Sequence, residues 1–142
     1  MAGELILRTN KVVNPTNAVA YADVNLQIDD TGSVYTNLSC SAETEFILPY
    51  GCPVGLKFTF VVVVAQTGRM TIRPDYAADH LSTIRLETAL GEYNNVDSLQ
   101  STASASEIGD SVTVVCVNST ALLEEFIVIS MVGSGWSVSP FS

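Results

Sequence analysis

Apolar and polar residues alternate in short bursts along this chain, and the bursts predict strands. Val24-Asn25-Leu26-Gln27-Ile28 alternates cleanly and places Val24, Leu26 and Ile28 on one buried face. Asp29-Asp30-Thr31-Gly32 follows as a turn, because glycine takes positive φ without steric penalty. Ser33 to Leu38 resumes as a strand, and Glu43 to Leu48 forms another that Pro49 closes. Leu56 to Ala65 carries the strongest signal. Leu56, Phe58 and Phe60 alternate with Lys57 and Thr59, and Val61 to Val64 is then apolar on both faces, as in a central strand or one entering a subunit interface. A turn at Gln66-Thr67-Gly68 leads into Arg69 to Arg73, with Met70 and Ile72 inward, the arginines outward and Pro74 at the end. Ser111 to Val117, Phe126 to Val132 and Trp136 to Val138 complete the clear strands.

Two stretches read differently. Gly91 to Ile108 is rich in Ser, Asn, Thr and Ala and reads as an exposed loop holding at most one weak strand. Ser119 to Phe126 reads as a loop with one turn, and Glu124-Glu125 as a solvated pair at a strand entrance. No stretch of a dozen residues sustains a helical apolar period. Valine, isoleucine and threonine number 18, 8 and 13, the β-branched excess that a pleated surface favours. The prediction is an all-β fold: an antiparallel β-sandwich, jelly-roll-like or a small barrel. Residues 1–22 form an N-terminal arm and 23–142 a single β domain, with no linker and no internal repeat.

Composition narrows the partners. Six basic against fifteen acidic residues leave a net charge of −9, which opposes phosphate neutralisation and excludes nucleic acid. The longest aliphatic run, Val61 to Ala65, is far short of the ~20 residues that a bilayer requires, so no membrane is expected. The opening residues lack a basic region followed by a long apolar one, so the expected site of synthesis is the cytosol. There Cys40, Cys52 and Cys116 are expected as buried free thiols, although Cys40 and Cys52 could bridge in principle. At 47% hydrophobic and 15% charged, the chain has few charges for its apolar content, which points to surface covered by a partner.

Asp30-Thr31-Gly32-Ser33, with the later Met131-Val132-Gly133, has the outline of a dimeric aspartic protease. It is also good hairpin chemistry, and no glycine-rich flap lies between the two segments. His80 is the only histidine, and no Gly-x-Ser-x-Gly elbow accompanies it. Asp75, Asp79 and His80 together would hold a cation only weakly. Gly133-Ser134-Gly135 precedes a strand, not the helix that a phosphate loop needs, and so reads as a turn. The expectation is a non-enzyme without cofactor or metal.

The order of segments from Asp30 to Trp136 resembles a module that recurs in virion proteins of tailed bacteriophages, in head decoration proteins and in fibre or spike tips. The resemblance lies in Asp30, Gly32, Tyr35, Thr36 and Asn37, then Leu48-Pro49, then Gly55 to Val62 with Ala65-Gln66. It continues through Ile72, Gly109, Ser111 to Val115, Gly133, Gly135 and Trp136. Where the module often has a second tryptophan, this chain offers Phe126, and the first ~25 residues lie outside the match. The resemblance implies a virion structural protein. At 142 residues there is room for an arm and one module, which fits a capsid cement protein better than a fibre with its shaft. By that resemblance it would bind the outside of the phage head as a homo-oligomer, a trimer, with the major capsid protein as partner. A short tail fibre, spike or tail-tip component with a carbohydrate ligand is the alternative. The capsid contact is expected in the arm, where Leu5, Ile6 and Leu7 could add a strand to a neighbour and Arg8 and Lys11 could meet acidic capsid surface.

Overall fold

The computed structural model describes residues 12–13, 21–28, 32–38, 42–75, 81–87, 93–119 and 123–140. Eleven strands occupy them: β1 (Val12–Val13), β2 (Tyr21–Asn25), β3 (Val34–Thr36), β4 (Glu43–Leu48), β5 (Lys57–Val61), β6 (Arg69–Pro74), β7 (Leu81–Glu87), β8 (Tyr93–Thr102), β9 (Ser111–Ser119), β10 (Leu123–Val132) and β11 (Trp136–Pro140). They build two mixed sheets packed face to face, a β-sandwich with no closed barrel. The all-β expectation holds. The sheets are mixed, however, where antiparallel pairing had been expected.

The mixture has a definite source. From β1 to β6 the chain alternates between the layers, so that β1, β3 and β5 stack in parallel in one and β2, β4 and β6 in the other. Parallel neighbours need a crossover connection, and here the opposite layer supplies it in place of a helix. Val12 pairs with Val34 and Val34 with Thr59; Tyr21 pairs with Glu43 and Thr44 with Met70. Each turn of this flat coil therefore takes roughly two dozen residues, the spacing of a solenoid rung. The geometry repeats although the sequence shows no repeat. After β6 the chain changes habit. β9 pairs antiparallel with both β5 and β10, and β8 pairs antiparallel with β6, β7 and β11. β7 also runs parallel to β10, so it joins the two layers along one side.

The core lies between the layers and includes Phe58, Phe60, Met70 and Ile72, the apolar positions of the alternation read in those two strands. Phe46 and Leu48 of β4, Phe58 and Phe60 of β5, Met70 and Ile72 of β6, and Val112 and Val114 of β9 are all fully buried. Tyr35 stacks on Phe60 with ring centroids 5.3 Å apart, and Phe46 meets Phe60 at 5.2 Å and Tyr35 at 5.8 Å. Outside the core, Arg69 pairs with Glu43 at 3.0 Å and Arg73 with Glu45, a short ladder between β6 and β4.

Several local expectations are corrected. The strand expected over Leu56 to Ala65 ends at Val61. Beyond it the backbone is held by a side chain: Asn37 Oδ1 accepts from the Val63 and Val64 amides at 2.9 and 3.2 Å, and Asn37 Nδ2 donates to the Val64 carbonyl at 2.9 Å. An amide that offers one acceptor and one donor copies a strand edge, which is why this apolar run leaves the sheet without orphaning its backbone. Ile28 is 39% exposed, not inward, because β2 ends at Asn25. The supposed loop after Gly91 contains the ten-residue β8, whose Ser98, Leu99 and Ser101 are buried. β7 was not foreseen at all. Ser119 to Phe126 is not a loop with one turn: β9 reaches Ser119 and β10 begins at Leu123.

Candidate functional site

Three places in the described structure gather polar or unpartnered groups. The first is a seam along one side of the sandwich. β9 holds one edge of β10 from Glu124 to Val132, but β7 holds the other edge only from Leu123 to Ile127. Val128 to Val132 therefore presents an edge with no partner among the described residues. β11 pairs with β8 alone, so its outer edge is open in the same sense. Gly133 to Gly135 is all that links the two strands, and so short a turn spans little more than the ~10 Å between packed sheets. The two strands therefore lie close together at Val132 and Trp136. Glycine is required in that turn: Gly133 has φ +93, and a Cβ at Gly133 or Gly135 would run into the buried Asp110 carboxylate. The turn predicted at Gly133-Ser134-Gly135 is present. Along the seam Ile129 is 50% exposed and Val132 55%, and Met131 and Val138 are exposed beside them. From Phe126 to Ser142 the chain carries no charged residue.

The second place is a cleft of about 500 Å³ at the ends of β2, β4 and β6. Leu26 and Leu48 line it from the core, and Asn25, Gln27, Asp75 and Tyr50 provide its polar groups, Tyr50 itself being exposed. No Lys or Arg lines it, so nothing there recognises an anion. Amide and carboxylate groups beside an aromatic ring suit a neutral, hydroxyl-rich ligand.

The third place is buried. Glu124, expected on the surface, is 2% exposed. Its Oε1 accepts from the backbone amides of Gly51 and of Cys52 (3.1 Å) and from Ser119 Oγ (3.4 Å). The carboxylate thus fastens the Tyr50–Gly55 loop to the start of β10, and its inward position reflects these donors. Beside it Cys52 and Cys116 are free and buried, as expected, with Cys116 Sγ donating to the Cys52 carbonyl at 3.1 Å. Burial pushes the Cys52 thiol well above its usual range, an effect to which the neighbouring Cys116 and the Glu124 carboxylate add, and burial raises the Cys116 thiol as well.

These shifts set a pH dependence with a definite sign. The unfolded chain ionises its thiols from about pH 8.5, whereas the folded chain holds them protonated to higher pH. Their contribution to stability is complete below that pH and is lost progressively above it. Urea unfolding between pH 7 and 10 should show this loss, and Cys52 and Cys116 should resist iodoacetamide at pH 8 until the chain unfolds. Rapid alkylation of either in the folded protein would contradict the burial.

The other predicted residues fall as follows. Leu5, Ile6, Leu7, Arg8 and Lys11 lie outside the described residues, as do Asp30, Thr31, Cys40, Asp79 and His80. Of the expected arm, Val12–Val13 stands at the edge of one sheet as β1, and β2 runs across the expected boundary at residue 22. Gly32 has φ +77 and donates its amide to the Lys57 carbonyl at 2.9 Å, in keeping with a turn. Asp75 opens onto the cleft. Among the described residues no three His, Cys, Asp or Glu side chains are placed to share a metal ion. Sequence reasoning missed the seam, for which the uncharged C-terminal stretch was the available signal. It also missed Asn37, which as a core residue (1% exposed) is no glycan acceptor despite its sequon. No protein-family model matches the chain, and no curated protein is significantly similar to it.

Proposed function

We propose that this chain is a structural protein of a tailed-phage virion, a cement protein that associates with itself and binds the outside of the head to stabilise the shell. The observation that carries the reading is the seam: two strand edges with no partner among the described residues, exposed Ile129, Met131, Val132 and Val138 on those strands, and no charged residue in the chain from Phe126 to Ser142. Exposed apolar residues gathered on one side of a fold mark an interaction surface. The phage-module resemblance supplies the virion context, the trimeric state and the major capsid protein as partner. The capsid contact belongs to the N-terminal segment with Leu5, Ile6, Leu7, Arg8 and Lys11.

The mechanism is linkage. A ligand that binds only the assembled shell stabilises it by about 2.7 kcal/mol per site when its free concentration is a hundred times Kd. An oligomer holding several capsid subunits gains avidity without tighter individual sites. Purified protein added to expanded heads lacking it should bind in numbers comparable to the major capsid protein and raise the temperature at which the heads rupture. Binding without added heat resistance, or no binding, would refute the reading. The cleft favours one alternative, a tail-tip or spike component that holds a glycan against Tyr50, Asn25 and Gln27. That alternative predicts about a dozen copies per virion.

A further inference from the structure

We propose that Cys52 and Cys116 are a dithiol that closes to a disulfide when the protein meets a disulfide oxidant, bonding the Tyr50–Gly55 loop covalently to β9. The inference stands on the buried cluster alone and does not depend on the virion reading.

Geometry comes first. The chain leaving the loop holds the Cys116 backbone at both of its polar groups: the Gly55 amide donates to the Cys116 carbonyl at 2.8 Å, and the Cys116 amide donates to the Leu56 carbonyl at 3.0 Å. Cys116 Sγ lies 3.1 Å from the Cys52 carbonyl oxygen, and the two thiols are hydrogen-bond partners. Both side chains are fully buried. Sulfurs already in contact need only a small approach to reach bonding distance. The loop can supply it, because Cys52 lies outside any strand, flanked by Gly51 at φ +70 and by Pro53. The sequence alone left Cys40 and Cys52 as the bridge to consider, but in the fold Cys52 faces Cys116, 64 positions away.

Glu124 gates the step. Its carboxylate fastens the loop through the Gly51 and Cys52 amides, and its charge beside Cys52 disfavours a thiolate there. When the loop opens, Cys52 reaches solvent before Cys116, which sits in β9 between β5 and β10. The Cys52 thiol then gives its proton to water, and its thiolate attacks one sulfur of the oxidant. A mixed disulfide forms and one thiolate leaves, taking up a proton. The Cys116 thiol, deprotonated in turn, attacks the Cys52 sulfur and expels the second thiolate. Two protein thiols are thus oxidised by two electrons, and one disulfide is reduced to two thiols. The new bond closes a loop of 64 positions and strongly constrains the unfolded chain, which makes the oxidised form the more stable one. A protein passing from a reducing to an oxidising compartment would harden in this way.

The test incubates the reduced full chain with oxidised glutathione and follows its intact mass, its cross-linked peptides and its urea unfolding. The wild type should lose two hydrogen atoms in mass and yield a peptide that joins Cys52 to Cys116. Its urea midpoint should rise, and dithiothreitol should restore the original value. Glu124→Ala frees the loop and should form the same bridge several-fold faster. If that variant fails to fold, urea below the unfolding transition opens the loop of the wild type in its place. Cys40→Ser should oxidise as the wild type does. Protein that keeps all its thiols, with the loop freed as well as in the wild type, overturns the inference. So does a peptide joining Cys40 to Cys52, a glutathione adduct that never resolves, or a bridge that leaves the urea midpoint unchanged or lower. No phage head takes part, so the outcome bears on this inference and leaves the cement reading to its own test.

Discussion

Phe60→Ala should destabilise the fold by about 4 kcal/mol, the loss expected when a large buried ring is removed and its cavity cannot collapse. Phe60 is fully buried at the junction of the two layers, against Tyr35 on its own layer and Phe46 on the facing one. The void would open between sheets that many backbone bonds hold apart, so neighbouring rings have little freedom to close it. The loss comprises the transfer free energy of the ring, its aromatic contacts and the residual cavity. For a chain of this size it corresponds to a fall in Tm of about 15 °C. Phe60→Leu keeps most of the volume and should lose less than half as much. Urea unfolding of the two variants checks both figures. A loss below about 1 kcal/mol for the alanine variant would mean that the layers are not packed through this cluster.

Glu124→Ala should destabilise by about 3 kcal/mol, because it removes the shared acceptor of several donors and leaves the buried Cys52 amide unsatisfied. Removing the carboxylate also relieves its desolvation, which keeps the expected loss below that of the ring deletion. The effect should be local in character. Freed from the start of β10, the Tyr50–Gly55 loop would open, and Cys52 should become reactive to iodoacetamide under conditions where the rest of the chain stays folded. Glu124→Gln keeps an acceptor oxygen and should lose about 1 kcal/mol with the thiols still protected. Were the alanine variant as stable as the wild type, the carboxylate would be an ordinary solvated group after all.

The buried Glu124 shows where sequence reading stops. Nothing in Glu124-Glu125 marks one of the pair for the interior. Its burial follows from a loop more than seventy positions earlier that brings two amide donors to the same spot. Asn37 is similar: it lies in a phrase that the phage resemblance singled out, yet its task, holding Val63 and Val64 outside the sheet, depends on a turn in another rung. The expected surplus of apolar surface was also displaced. Val61 to Val64 was the natural candidate for an interface, but Val62 is buried, and the open apolar edge is β10. β8 was hidden because its run of Asn, Asp, Ser and Gln lacks alternation. It is a strand because it is paired along both edges, with β6 and β7 on one and β11 on the other.

The sequence by itself determined that the chain is built of strands, which residues of β5 and β6 face the core, where glycine and proline turn the chain, and that its last stretch is uncharged. These are local matters, decided by the two-residue pleat and by the φ values that each residue tolerates. Only the tertiary structure decided which strand lies beside which: the parallel stacking of the first six, β7 joining the layers, and the edge of β10 beyond Ile127 that no described residue pairs with. The reason is that strand pairing uses backbone groups that nearly every residue shares. The choice of neighbour therefore follows from how the loops close and the layers pack, and no single segment records it.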